Sequence, residues 1–254
     1  MGQHFLVEPE VVGRIADAAD LAPGSTVIEI GPGLGILTRE LLAREARVIA
    51  IELDRELMAF LKQDLAHIDN LTLVERDARH VDVEALVRGS PYQLVANLPY
   101  STGAVIIRRF LEMDQPPQSM TVMVQREVGE RMTATAPSVS LLSIATQLYA
   151  EIELIFLVPA DVFLPPPRVE SAVVQLRPRM SPLACPIERV RLFHSATAAF
   201  QRKRKTISNG LSQGLDRPRA DIDQWLQRAG IEPSRRPQTI SLQEWILLAK
   251  MFEE

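Results

Sequence analysis

The tetrapeptide Asn97-Leu-Pro-Tyr100 combines the groups that methylation of an aromatic amine requires. The nitrogen of such an amine is a poor nucleophile because its lone pair is delocalised into the ring. If the side-chain oxygen of Asn97 and a neighbouring backbone carbonyl accept its two hydrogens, the nitrogen can become pyramidal and direct its lone pair at an electrophile. The Tyr100 ring can stack on a flipped base. An isolated tetrapeptide of this kind is more typical of a turn that ends a strand, so its sequence context must decide between a turn and a methylation site.

A glycine-rich segment, Glu29-Ile-Gly-Pro-Gly-Leu-Gly35, stands between a predicted strand and a predicted helix. Glycines at these positions allow a tight turn and a close approach of the backbone to a ligand. The spacing is G-x-G-x-G rather than the dinucleotide fingerprint G-x-G-x-x-G, and Pro32 stiffens the turn. Glu52 lies 21 residues after Gly31, where a carboxylate can accept two hydrogen bonds from a ribose diol. The segment predicts a site for a nucleotide-like ligand, with a merely tight turn as the alternative.

Two further acidic residues lie near predicted strand ends. Asp77 and Ala78 follow the third strand, where a carboxylate can accept a hydrogen bond from an adenine amine. Asp54 competes with Glu52 as a ribose ligand, but its position ahead of an amphipathic run favours a helix cap. In isolation, such acids are more often solvated loop charges. Polar groups at the ends of three consecutive strands instead indicate one crevice, because ligands of open α/β sheets bind at the carboxyl edge.

The elements that must position these groups follow an α/β pattern. Short β-branched runs alternate with segments of helical periodicity, which predicts a mostly parallel sheet covered by helices on both faces. The last two strands follow each other without a crossover helix, so we expect them to be antiparallel at the sheet edge. Three successive prolines in 162–167 predict a stiff loop between them. The predicted strands are 26–30, 47–51, 71–75, 94–97, 120–124, 152–158 and 171–176, and Ser101 is a predicted helix cap.

Strand signals cease near residue 182, which predicts a ligand-binding α/β domain over 1–182 and a small all-α domain over 183–254. The formal net charge of −4 conceals an asymmetry between these parts. Residues 183–254 carry 12 Lys and Arg against 8 Asp and Glu, whereas 1–182 carry 16 against 24. The smaller part is therefore a candidate basic surface for nucleic acid.

Composition excludes several classes of protein. With 46% hydrophobic and 24% charged residues, the chain is typical of a soluble globular protein. It has no apolar stretch of the ~20 residues that a membrane helix needs, and its first residues do not resemble a secretory signal. Cys185 is the only cysteine, which precludes an internal disulfide and a multi-cysteine metal site. We therefore expect a cytoplasmic protein that is not embedded in a membrane, with a monomer as the default.

Seven segments, in this order, resemble the ribosomal RNA adenine dimethyltransferase family and its small-subunit branch in particular. They are Gly2-Gln-His-Phe-Leu6, Glu29-Ile-Gly-Pro-Gly-Leu-Gly35, Ile51-Glu-Leu-Asp54, Asp77-Ala78, Asn97-Leu-Pro-Tyr100, Phe163-Leu-Pro-Pro-Pro-Arg-Val-Glu-Ser171 and Phe200-Gln-Arg-Lys-Arg-Lys-Thr206. The resemblance implies a Rossmann-like class I methyltransferase sheet of seven strands. It also implies S-adenosylmethionine as the methyl donor, and no metal is required.

The resemblance assigns roles to individual residues. It implies cofactor contacts for His4, Leu6, Gly31, Gly33, Glu52, Asp77, Ala78 and Asn97. It implies a target-base site at Asn97, Leu98, Pro99 and Tyr100, with Phe163 opposite Tyr100. Without the resemblance, His4 would be interpreted as a terminal polar residue, and Phe163 could be either a base contact or a core residue.

A run of four cations follows Phe200 and suits contacts with RNA phosphates, whose strength should fall with salt. The run is Arg202, Lys203, Arg204 and Lys205. Most such runs are solvated helix faces, but this one begins at a family motif. By the same resemblance, the substrate is a pair of adjacent adenosines near the 3′ end of 16S rRNA, in a precursor of the small ribosomal subunit.

Three alternatives remain at this stage. Antibiotic-resistance methyltransferases that act on large-subunit RNA share the glycine turn and the Asn-x-Pro-Tyr/Phe motif, although the basic helical part favours the small subunit. A non-catalytic ribosome-assembly or transcription factor would not need Asn97, Tyr100 and Glu52. A nicotinamide oxidoreductase is disfavoured by the glycine spacing. The segment 133–140 lacks the Tyr-Gly usual in the family, so the geometry of that loop stays open.

Overall fold

The computed structural model describes residues 4–65, 67–202 and 204–252. The chain divides into two units, one formed by Met1–Gly129 with Glu151–Pro178 and the other by Glu130–Ala150 with Arg179–Glu254. This division differs from the predicted boundary between residues 182 and 183, because 130–150 belong with the C-terminal helices.

Backbone hydrogen bonds explain why 130–150 join the second unit. The amide of Val139 donates to the carbonyl of Gln238 at 2.9 Å, and the amide of Leu183 donates to the carbonyl of Leu148 at 3.0 Å. These partners lie far apart in the sequence. No local pattern of hydrophobic residues indicates such long-range pairings, so the prediction placed the segment in the larger domain, 1–182.

The described strands are β1 (Phe5–Leu6), β2 (Thr26–Ile30), β3 (Arg47–Glu52), β4 (Leu71–Glu75), β5 (Gln93–Asn97), β6 (Met120–Gln125), β7 (Ala150–Val158), β8 (Phe163–Leu164) and β9 (Ser171–Pro178). Seven of them form the main sheet of the first unit, in the order β4-β3-β2-β5-β6-β9-β7. Strands β2 to β6 pair in parallel, and β9 is antiparallel to β6. The predicted mostly parallel sheet is confirmed, with β7 outermost beyond β9.

Burial follows position in the sheet. Strands β2, β3 and β6 are buried along nearly their whole length, as expected where helices cover both faces. Strand β7 instead alternates between partly buried and exposed residues, which is the pattern of an edge strand with one face turned towards the protein. The carboxyl ends of β2 to β5 thus meet at one edge of the sheet, where the predicted ligand residues lie.

Both units contain helices. Those of the first unit are α1 (Pro9–Ala18), α2 (Ile36–Ala43), α3 (Arg55–Leu65), α4 (Val83–Val87) and α5 (Gly103–Leu111). Helix α6 (Arg126–Thr133) leads into the second unit, which contains α7 (Leu141–Gln147), α8 (Pro186–Phe200), α9 (Ile207–Leu215), α10 (Arg219–Arg228) and α11 (Leu242–Lys250). None of these helices is long and apolar enough to cross a membrane.

The two predicted helix caps have different outcomes. Asp54 accepts the amides of Glu56 at 2.9 Å and Leu57 at 3.2 Å, so it caps α3 as predicted. The prediction for Ser101 is wrong, because α5 begins after Thr102 and no side chain caps it. The Pro99 carbonyl accepts the amides of Thr102 and Gly103, so this backbone turn opens the helix without a serine hydroxyl.

The proline-rich segment contains a strand that the sequence did not predict. Phe163 and Leu164 pair antiparallel with Leu6 and Phe5, in a two-stranded sheet separate from the main one. Two residues are too few to show a periodicity of two, so the segment was expected to be loop throughout. The pairing brings the N-terminal motif against the Phe163 motif.

Small residues form the crossing of α8 and α9 in the second unit. A Cβ atom on Gly214 would lie 2.6 Å from the Cβ of Ala198 and 2.9 Å from its backbone oxygen. A Cβ on Gly210 would lie 3.3 Å from the Cα of Ala199. The two helix backbones are therefore too close at this point for any larger residue in α9.

We expect Gly214→Ala to destabilise the protein by about 1–3 kcal/mol, because the added methyl group overlaps the Ala198 backbone. The matched control is Gly13→Ala in α1, where an added Cβ meets nothing within 4 Å. That change should be stabilising by up to about 1 kcal/mol, since alanine favours helix. Denaturant unfolding measures both, and equal effects of the two changes would contradict the packing described.

Candidate cofactor and substrate site

The glycine turn follows β2 and contacts two other parts of the site. Gly31 and Gly33 both have positive φ, of 69° and 58°, which residues with a side chain rarely adopt. A Cβ on Gly31 would lie 3.7 Å from the backbone oxygen of Asn97, and one on Gly33 would lie 3.2 Å from the Phe5 ring. The turn thus adjoins the end of β5 on one side and β1 on the other.

Glu52 ends β3 and is 7% exposed. Its Oε1 accepts the amides of Leu53 at 2.8 Å and Asp54 at 2.9 Å, and its Oε2 accepts the amide of Gly33 at 3.3 Å. Three backbone donors therefore fix the carboxylate beside the glycine turn. Because the Gly33 contact is long and a carboxylate has about four acceptor positions, it retains capacity for a diol.

Asp77 follows β4 and is held by its neighbour Arg79. The Arg79 amide donates to Oδ1 at 2.8 Å, and its guanidinium donates through Nε at 3.1 Å to both oxygens and through Nη2 at 2.6 Å to Oδ2. These bonds, the side-chain ones first, lower the pKa of the Asp77 carboxyl to about 2. Asp77 is therefore an anionic acceptor at neutral pH, as hydrogen bonding to an amine requires.

Arg109 braces the turn that carries Asp77 and Ala78. Its Nη1 donates to the carbonyl of Ala78 at 2.8 Å, and its Nη2 donates to the carbonyl of Val81. Sequence reasoning missed Arg109. The only signal for Arg109 in the sequence is a cation in the last turn of an amphipathic helix. A cation is favourable at any helix C-terminus, so this signal does not distinguish a site residue.

Asn97 and Leu98 present hydrogen-bond acceptors that the described part of the chain does not use. The Asn97 side chain makes no hydrogen bond with a described residue, and neither does the Leu98 carbonyl. The Leu98 amide donates to the Met123 carbonyl at 3.1 Å, and the whole residue is 1% exposed, so the backbone here is fixed. Both acceptors belong to the turn after β5, where the Asn97 backbone oxygen adjoins Gly31.

Tyr100 is held at its hydroxyl and faces His4. The Tyr100 hydroxyl and the Ser171 hydroxyl are 2.7 Å apart. The Tyr100 and His4 ring centroids are 6.0 Å apart at an interplanar angle of 29°, and Nδ1 of His4 donates to the Pro165 carbonyl at 2.7 Å. The structure therefore brings together His4 and Tyr100. Sequence reasoning gave no indication of Ser171 or Pro165 as their partners.

Leu6 and Phe163 lie in the hydrophobic core of the first unit. They are 7% and 3% exposed and belong to a cluster that includes Val11 and Val158. Phe163 is therefore covered in this structure, in the core position that was its alternative interpretation. A contact of its ring with a base stays a prediction, and it requires the ring to be uncovered.

The basic run lies in the connection between α8 and α9 of the second unit. Arg202, Arg204 and Lys205 are exposed there, while Lys203 lies outside the described residues. Phe200 is 5% exposed, with its ring 5.9 Å from the Trp245 ring, so it anchors the end of α8. The three described cations extend from a loop rather than from a helix face.

Glu29 is a buried acid that sequence reasoning did not single out. It is 1% exposed in β2, and its Oε2 has no hydrogen-bond partner among the described residues. Burial raises the pKa of its carboxyl to about 8; the Thr38 hydroxyl opposes this shift and the charge of Glu52 adds to it. Glu29 is therefore mostly protonated at neutral pH.

This raised pKa makes a prediction about stability without ligand. Between the ordinary pKa near 4.5 and the folded value near 8, the folded protein holds a proton that the unfolded chain releases. The contribution of Glu29 to stability therefore falls as pH rises through this window. We expect Glu29→Gln to be more stable than the wild type at pH 9 by on the order of 1–3 kcal/mol, with a smaller difference at pH 5.

Unfolding by urea at the two pH values measures this difference. Glu8→Gln, which changes an exposed glutamate ahead of α1, is the control and should show no such pH dependence. A Glu29→Gln effect that is the same at pH 5 and pH 9 would exclude a protonated buried Glu29.

A parallel sheet with one antiparallel strand, a glycine turn after its first parallel strand, and acids after the next two define a class I methyltransferase fold. Two solved structures share it. One is the 23S rRNA methyltransferase ErmE, with a TM-score of 0.76, 28% identity, and coverage of 98% of this chain and 100% of that one. The other is a dimethyladenosine transferase from Plasmodium falciparum, with a TM-score of 0.80, 23% identity and 96% coverage of each chain.

The sequence profile of the ribosomal RNA adenine dimethylase family matches residues 1–254. The chain belongs to this family. It is 40% identical over 255 residues to a ribosomal RNA small subunit methyltransferase A of Dehalococcoides mccartyi, covering 100% of this chain and 88% of the relative. It is 36% identical over 264 residues to the protein of the same name from Staphylococcus haemolyticus, with the same coverage. The resemblance found from the seven motifs is confirmed.

Proposed function

We propose that this protein transfers methyl groups from S-adenosylmethionine to N6 of two adjacent adenosines near the 3′ end of 16S rRNA. Two methyl groups on each adenosine make four transfers. The family and the small-subunit names of relatives at 36–41% identity support this substrate. We further propose that the enzyme acts as a cytoplasmic monomer on a precursor of the small ribosomal subunit.

The residues at the carboxyl edge of the sheet fit this cofactor. Gly31 and Gly33 have positive φ and no side chain, so a ligand can approach the backbone of the turn closely, and Glu52, fixed beside the turn, would accept from the ribose. Asp77, anionic and next to Ala78, would accept the adenine amine. The strand that carries Leu6 adjoins this edge through the Phe5 ring beside Gly33, and His4 adjoins it through the Tyr100 ring. When bound, S-adenosylmethionine supplies a methyl group on a sulfonium, which is a strong electrophile and leaving group.

The observation that carries the proposal is the pair of unused acceptors at Asn97 and Leu98. In the first transfer to each adenosine, Oδ1 of Asn97 and the Leu98 carbonyl would each accept one hydrogen of the target amine, which frees the nitrogen lone pair for attack in line with the methyl group. In the second transfer, the one remaining hydrogen would donate to one of these two oxygens. The same dipoles stabilise the positive charge that develops on nitrogen before its proton passes to water. Pro99 fixes the turn, and the Tyr100 ring would stack on the extruded base.

The exposed cations of the α8–α9 connection would contact RNA phosphates. Arg202, Arg204 and Lys205 form no ion pair with the described residues, so their charge is available. Lys203 would extend the run. Such contacts position RNA without reading its sequence and weaken as salt rises. Recognition of the two adenosines would then depend on the shape of the precursor as well as on the base.

The test is transfer of labelled methyl groups to ribosomal particles that lack these modifications. We expect dimethyladenosine at two adjacent positions near the 3′ end of small-subunit RNA, located by nuclease digestion and mass spectrometry. Modification of large-subunit RNA instead would reject the substrate and favour the activity named for the 23S enzyme with this fold. Absence of transfer to either subunit would favour an assembly factor without catalytic activity.

A further inference from the structure

A buried serine holds the hydroxyl of Tyr100. Ser171 is the first residue of β9, is 0% exposed, and lies opposite Gln125 at the end of β6. Its Oγ is 2.7 Å from the Tyr100 hydroxyl, which comes from the turn after β5. The position of the serine hydroxyl is therefore set by strand pairing, and the tyrosine must adapt to it.

This bond acts at the end of the ring farthest from the backbone. A tyrosine side chain turns about two torsions, and a bond at the para position limits the tilt of the whole ring. Burial raises the pKa of the Tyr100 phenol, so its proton is retained and the bond persists at neutral pH. His4 lies against the ring at 6.0 Å. The bond thus restrains the long axis of the Tyr100 ring, and the contact with His4 limits rotation about that axis.

We propose that Ser171 is a positioning residue for methyl transfer, whose buried hydroxyl holds the long axis of the Tyr100 ring on which the extruded adenine stacks. This inference rests on the proposed function. Ser171 does not touch the reacting atoms. It acts through Tyr100, which is three residues from Asn97, so a tilt of the ring would displace the stacked purine from the two acceptors.

Loss of this bond should therefore lower the efficiency of transfer more than it lowers stability. A misplacement of about 1 Å can cost up to about 100-fold in rate. We expect kcat/KM for the ribosomal substrate to fall about 10-fold in Ser171→Ala. Cofactor affinity should be unchanged, because neither Ser171 nor Tyr100 is among the residues assigned to the cofactor.

The experiment is a double-mutant cycle of Ser171→Ala and Tyr100→Phe, each of which removes the same hydrogen bond from one side. We expect similar losses of kcat/KM in the two single variants and no further loss in the double variant. Thr121→Val is the matched control. It removes another hydroxyl of a 1% exposed residue, which donates to the Ala18 carbonyl at the far end of β6. Its kcat/KM should match the wild type.

Two results would overturn the inference alone. In one, the wild type methylates small-subunit particles and Ser171→Ala is as active as Thr121→Val, which makes the bond purely structural. In the other, Ser171→Ala costs as much in the Tyr100→Phe background as in the wild type, so that it acts elsewhere. If Ser171→Ala does not fold, undiminished transfer by Tyr100→Phe would be just as decisive. A wild type that transfers no methyl group to rRNA overturns the proposed function as well.

Discussion

Asn97→Ala should lower the rate of methyl transfer by on the order of 10²–10³-fold. The alanine variant lacks the oxygen proposed to accept one hydrogen of the target amine, while the Leu98 carbonyl remains. With one acceptor, the amine nitrogen stays conjugated with the purine ring and its lone pair is poorly directed. Cofactor affinity should be largely retained, because the Asn97 backbone oxygen beside Gly31 is unchanged.

Single-turnover kinetics with a ribosomal substrate separates the rate of methyl transfer and the affinity for the cofactor from product release. Asn70→Ala, which changes an exposed asparagine ahead of β4, should leave both the rate and the cofactor affinity unchanged. An Asn97→Ala variant that turns over at the wild-type rate would remove the asparagine from the mechanism. Loss of cofactor binding alone would place its side chain at the cofactor instead of the amine.

Glu52→Gln should weaken binding of S-adenosylhomocysteine, the product form of the cofactor, by about 100-fold. The carboxylate accepts from three backbone amides and would accept from the ribose diol as well. An amide of the same size has one oxygen, and its NH2 group faces donors, so charge-assisted bonds of about 1.5–3 kcal/mol each are lost. The rate at saturating cofactor should change much less, because Glu52 does not contact the amine.

Calorimetric titration measures this change in affinity. Glu56→Gln, four residues further along and exposed in the first turn of α3, is the matched control and should bind as the wild type does. Unaltered affinity in Glu52→Gln would mean that the ribose lies elsewhere. Asp54 is not the substitute, because it caps α3.

The sequence predicted the sheet and much of the site because both follow from local patterns. Runs of β-branched residues mark β2 to β6, and the ends of parallel strands necessarily meet at one edge, which is where Gly31, Glu52 and Asp77 lie. Asp54 was predicted as a helix cap because capping depends on residues two and three positions away. In each case the determining interaction is short in sequence or imposed by the fold class.

Other parts of the site depend on contacts between distant segments, which no local pattern reveals. Tyr100 and Ser171 are 71 residues apart, and His4 and Pro165 are 161 apart. The location of His4 and the covering of Phe163 both follow from the pairing of β1 with β8. Family resemblance named His4 and Phe163, but only the structure shows what each contacts.

The central claim is that the turn at Asn97 and Leu98 holds the target amine in line with the methyl group above the glycine turn. A crystal structure with S-adenosylhomocysteine and adenosine bound together tests it most directly. We expect N6 of the adenosine to lie about 3 Å from both Oδ1 of Asn97 and the Leu98 carbonyl oxygen. An amine bound away from both acceptors, or a cofactor bound away from Gly31, would contradict the account.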